Sequence, residues 1–141
     1  MNDESILDYV KKLLGIQKDY THFDPDVIYG INAAFGVLNQ LGIGPAEGFM
    51  ISDDTSKWTD FISDGPQLSL VKEYVCLKTR LLFDPPTSSG LIDAMNKNAA
   101  EYEWRLYVAF DGENAVPKML NKIEQGLDTI IETENHYIGG E

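Results

Sequence analysis

The chain has 141 residues, 43% of them hydrophobic and 24% charged, which is the balance of a folded domain too short for two cores and a linker. Eleven Lys and Arg face 23 Asp and Glu, and the resulting net charge of −12 repels phosphate and argues against a sequence-reading DNA binder. One cysteine, Cys76, excludes an internal disulfide framework and a cysteine-based zinc site. No apolar run approaches the roughly 18–20 residues of a membrane span. The start Met1-Asn2-Asp3-Glu4 is acidic where a signal peptide is basic, so an intracellular protein is expected.

Hydrophobic spacing is helical almost throughout. Ile6, Leu7, Val10, Leu13 and Leu14 form the first stripe, with Asp3 as its expected cap and Gly15 as its stop. Asp24-Pro25 starts the second helix, Asp24 as an acceptor for the free N–H groups and Pro25 as a residue that loses nothing there. Val27, Ile28, Ile31, Ala34, Phe35, Leu38 and Leu41 continue it to Gly42. Gly30 and Gly36 inside this helix fit either close approach by a neighbour or local tolerance.

Three glycines and a proline between Gly42 and Gly48 end helical structure and predict a long irregular loop. It carries the short apolar run Phe49-Met50-Ile51. Thr55 or Ser56 is the expected cap of a short helix with Trp58, Phe61 and Ile62, closed by Gly65-Pro66. From Gln67 to Phe83 apolar residues cover most of the circumference, which predicts the central, most buried helix, ended by Asp84-Pro85-Pro86. Thr87, Ser88 and Ser89 offer caps for a helix through Leu91, Ile92, Met95, Ala99, Tyr102, Leu106 and Phe110. Pro117 then opens an amphipathic helix and tail over 112–141. The fold expected is an all-α bundle of five to six helices, with a connector domain over 1–111.

His22 and His136 have no partner at metal-ligand spacing. Cys76, among apolar neighbours, reads as a small buried hydrophobe rather than a nucleophile. Asp24, Asp26, Asp53 and Asp54 lack calcium-loop spacing. The glycines at 42, 44 and 48 follow a helix and have no adjacent lysine, so a phosphate cradle is not expected. Glu101 and Arg105, one turn apart, predict a surface ion pair. No enzyme, metal or cofactor is expected.

Charge and aromatics point instead to surfaces. Residues 23–56 hold five acids and no cation, whereas 57–81 hold four cations (Lys57, Lys72, Lys78 and Arg80) against three acids. These stretches can meet within one fold or between copies. Of 15 aromatics, Phe49, Trp58 and Phe61 lie in irregular or short segments, where large apolar groups fill either the domain's own core or a partner's pocket.

An ordered set of segments carries a resemblance. Val10-Lys-Lys-Leu-Leu14-Gly15-Ile16 is followed by Phe23-Asp24-Pro25, Ile31-Asn32 and Leu38-Asn-Gln-Leu41-Gly-Ile-Gly44-Pro45. Gly48-Phe49, Trp58-Thr-Asp-Phe61 and Val71-Lys72-Glu73-Tyr74 come next, then Leu77-Lys78-Thr-Arg80-Leu81-Leu82-Phe83-Asp84-Pro85-Pro86 and Glu103-Trp104-Arg105-Leu106. Over residues 5–110 this resembles the head–tail connector (head-completion, or adaptor) proteins of long-tailed phages and prophages of Gram-positive bacteria.

The resemblance implies a small all-α structural protein that assembles as a ring of about a dozen copies beneath the portal. Its partners would be the portal protein and a tail-side neck or completion protein. The protein would be in the host cytoplasm during assembly and then in the virion neck. A ring of about twelve copies at −12 each carries a charge on the order of −144, which suits a channel wall that does not grip passing DNA. The candidate contact residues are Gly42, Gly44, Pro45, Gly48, Phe49, Met50 and Ile51 on the loop, with Lys72, Lys78 and Arg80 as the cationic counterpart. The alternative expectation is a helical adaptor for a protein partner unrelated to capsids.

Overall fold

The computed structural model describes residues 4–111, and among them the secondary structure is five helices with no strand. In chain order these are α1 (Ile6–Leu13), α2 (Asp24–Gln40), α3 (Trp58–Phe61), α4 (Pro66–Phe83) and α5 (Ser89–Asp111). The all-α expectation and the long loop between the second and third helices hold. The expected helix from Pro117 lies outside the described residues.

Both of the first two helices end in the same way, because a glycine follows each C-cap. Gly15 and Gly42 adopt φ of 79° and 83°, a region costly for residues with a Cβ. That turn lets the next residue reach back: Ile16 N–H donates to the Lys11 carbonyl at 2.8 Å, and Ile43 N–H to the Leu38 carbonyl at 3.0 Å. The carbonyls left over at a helix end are thereby satisfied.

The helix starts differ from expectation. Asp3 lies outside the described residues, and the α1 cap is Ser5, whose Oγ accepts the Asp8 N–H. Asp24 does not cap α2, whose N-cap is Phe23 with no side-chain bond; its carboxylate turns to Lys11 instead. Neither Thr55 nor Ser56 caps α3. Thr55 bonds back to Asp53, and the cap is Lys57, whose N–H donates to the Asp60 carboxylate at 2.8 Å. At α5 the serine expectation holds, since Ser88 Oγ accepts the Leu91 N–H.

The core lies between α2 and α4. Val27, Ile31, Ala34, Phe35 and Leu38 of α2 meet Leu68, Val71, Tyr74 and Val75 of α4, and all are buried. The expectation of α4 as the single central helix is corrected: Leu82 is 54% exposed and Leu70, Cys76, Leu77 and Leu81 are half-buried, while α2 is buried at least as deeply. Gly30 is the reason the two helices approach so closely. A Cβ there would stand 3.0 Å from Thr79 Cγ2 and 3.2 Å from its Cα, whereas one at Gly36 would meet nothing. Thr79 hides its hydroxyl by donating to the Val75 carbonyl at 2.7 Å.

Lys11 is the least expected core member, 1% exposed. Its Nζ donates to the carbonyls of Lys18 and Tyr20 at 2.9 and 2.7 Å and pairs with Asp24 Oδ1 at 2.8 Å. The ammonium thus has two carbonyl acceptors and a carboxylate counter-charge beside it, the condition under which a buried charge is tolerated. Two bonds between neighbouring residues join α5 to α4: Tyr74 Oη donates to Glu103 at 3.0 Å, and Tyr102 bonds Glu73.

Candidate functional site

The loop over 41–57 is irregular in backbone yet firmly attached. Asn32 on α2 holds it with both ends of one amide, donating to the Ile51 carbonyl at 2.9 Å and accepting the Ile51 N–H at 2.8 Å. A side-chain amide here imitates a strand partner. The Ile6 N–H donates to the Ser56 carbonyl at 3.0 Å and closes the other end of the loop on α1.

Rings fill the space beneath it. Phe35, fully buried, stands 4.9 Å from Phe49 and 4.6 Å from Phe61, and Phe49 lies 5.3 Å from Phe61. Tyr9 meets Trp58 edge-on at 5.5 Å. Aromatic pairs of this kind add about 0.5–1.5 kcal/mol beyond their area. Trp58 and Phe61 therefore serve the domain's own core. Gly44 makes the cluster possible: at φ 88° it lies so close to Phe61 that a Cβ would fall 2.3 Å from the ring.

The apolar run on this loop splits by direction. Ile51 is buried and Phe49 half-buried, but Met50 between them is 75% exposed. Around Met50 the loop is acidic, with Glu47, Asp53 and Asp54 exposed. Asp53 and Asp54 join Asp24, Ile28 and Thr21 around a cavity of about 430 Å³. The hydrogen bonds from Thr55 hold the Asp53 carboxyl below its ordinary range. No group of three or more His, Cys, Asp or Glu with metal-binding geometry occurs among the described residues.

The three candidate cations separate. Lys72 is turned inward, its Nζ 5.1 Å from the Tyr9 ring centroid and 5.9 Å from that of Trp58. Lys78 is half-buried and Arg80 exposed on α4, and neither forms an ion pair among the described residues. Arg80 edges a groove of about 310 Å³ lined by Leu13, Leu14, Cys76, Leu77, Leu91 and Met95, from α1, α4 and α5. Burial, with help from Glu73 and against Lys72, pushes the Cys76 thiol up to about 12, so it holds its proton near neutrality. Arg105 and Glu101 form the expected i, i+4 pair at 2.7 Å.

Two surfaces of opposite character thus sit on one small domain, an acidic loop with a raised methionine and an apolar groove edged by arginine. The family model of phage connector proteins matches residues 6–113, most of the chain and nearly all of the described structure. The chain belongs to the phage connector protein family. No curated protein and no solved structure matches it. Membership implies a structural part in joining phage head and tail, and it displaces the adaptor unrelated to capsids. The described connector has no helix long and apolar enough to cross a membrane.

Residues that position these surfaces were not all singled out from sequence. Lys11 stands four residues after Leu7 and three before Leu14, a register on the apolar face that signalled its burial. Asn32 carried no comparable signal, since its partner is a backbone nineteen residues away.

Proposed function

We propose that the connector assembles head-to-tail into a closed ring of about a dozen copies between the portal and a tail-side neck protein, extending the DNA channel. Ring closure without dimerisation requires two different complementary patches on each copy. The observation that carries this reading is the segregation of Glu47, Asp53 and Asp54 on the loop from Lys78 and Arg80 on α4. Acid pairing inside the fold is taken up by other groups: Asp24 by Lys11, Asp8 by Lys18 and Glu101 by Arg105.

A channel must let DNA slide, and each cation that neutralises a phosphate strengthens its hold. A subunit at −12 suits a wall that repels. The loop over 42–56 serves as the contact arm, held by Asn32 and the aromatic cluster, with Gly42, Gly44, Pro45 and Gly48 shaping its path. The host reading, a phage or prophage of Gram-positive bacteria, rests on the sequence resemblance. Sedimentation velocity with and without portal protein tests the proposal. Ring-sized species are expected, and a monomer under both conditions would overturn it.

A further inference from the structure

We propose that the groove between α1, α4 and α5 receives Met50 of a second copy of this chain, with Arg80 facing the acids that flank that methionine. The inference rests on the ring reading and names its contact. Three observations converge on it.

The first is a fixed knob. Met50 is 75% exposed, yet both its neighbours are turned inward, and the Asn32 amide grips Ile51 at 2.8 and 2.9 Å. Because the loop backbone is already held, binding costs chiefly the rotamer freedom of the methionine side chain itself. The second is a hole. The groove encloses about 310 Å³ and is walled by Leu13, Leu14, Leu77, Leu91 and Met95, with Leu13 57% and Leu91 48% exposed. Methionine is unbranched and adapts to irregular apolar gaps of this sort.

The third is charge. Among the described residues Arg80 is the one charged residue lining the groove, and it has no ion pair among them. Glu47, Asp53 and Asp54 are exposed within four residues of the knob on the same loop, opposite in sign to Arg80 beside the groove. Knob and hole lie on different elements, hence each copy can give one and receive another, and the contact propagates.

Disulfide trapping tests this in full-length protein carrying Cys76→Ser, which removes the native groove thiol. Met50→Cys and Leu91→Cys are introduced singly and together, both at exposed positions, and the proteins are oxidised with and without portal protein and run on non-reducing gels. The double variant is expected to give a ladder extending past dimer, and an equimolar mixture of the single variants a dimer. Each single variant alone should stay monomeric. Arg80→Glu in the double variant should slow trapping about tenfold or more. No ladder, an unchanged rate with Arg80→Glu, or a dimer from Met50→Cys alone would overturn the proposal. Large oligomers in sedimentation without the ladder would sink this contact and leave the ring standing, whereas absence of both would sink the ring as well.

Discussion

Lys11 and Asp24 meet at 2.8 Å across the turn between α1 and α2, the lysine almost wholly enclosed. The same ammonium binds the carbonyls of Lys18 and Tyr20 and so organises a linker with no regular structure of its own. Removing the cation strands a half-buried carboxylate and two carbonyls. Lys11→Ala should therefore cost about 3–5 kcal/mol in urea unfolding, the range for breaking a buried pair. Asp24→Asn should cost less, because Lys11 retains both carbonyls. A loss below about 1 kcal/mol for Lys11→Ala, the level of an exposed pair, would show that the pair is not structural.

Asn32→Ala tests the attachment of the loop. It removes two hydrogen bonds to Ile51 and leaves that backbone with unpaired groups, at a cost of about 1–3 kcal/mol. Amide exchange at Ile51 should accelerate far more than exchange in the middle of α4. Uniform acceleration across the domain would mean that the amide supports global stability rather than the loop.

The glycines make a pair of predictions with opposite sign. Gly44→Ala drives a Cβ into the Phe61 ring from a backbone at φ 88°, and should destabilise by about 1–3 kcal/mol or more. Gly36→Ala meets nothing and lies in mid-helix, so it should stabilise by up to about 1 kcal/mol. Thermal melts of the two variants read the difference, and equal effects would contradict it.

Alkaline pH should weaken the fold. Burial raises the Cys76 thiol from 9.0 to about 12, and burial together with the Glu103 carboxylate raises Tyr74 well above its ordinary range. Below about pH 9 the thiol is protonated in folded and unfolded chains alike, and its contribution is fully present. As pH climbs from about 9 towards 12, the unfolded chain releases protons that the folded one keeps, and stability falls. Tyr74→Phe should flatten part of that decline in Tm, and an unchanged slope would remove Tyr74 from the explanation.

Periodicity placed the helices because apolar spacing along α1, α2, α4 and α5 is a local property. The loop was legible as a loop from Gly42, Gly44 and Pro45, and the twin glycine stops from Gly15 and Gly42. Phe49, Met50 and Ile51 were not separable by composition: their directions follow from Asn32 and from the hole left beside Phe35, both set by tertiary packing. Asp24 likewise had a local explanation as a cap, and Lys11 offered a stronger partner across the turn. Lys72 reads as a surface cation until Tyr9 and Trp58 are brought beneath it.

Electron microscopy of the connector mixed with its portal protein tests the central claim most directly. The account predicts a closed ring of about a dozen copies seated on the portal, lost in Arg80→Glu while that variant keeps a wild-type melting curve. Monomeric connector that leaves the portal bare at every concentration would contradict it.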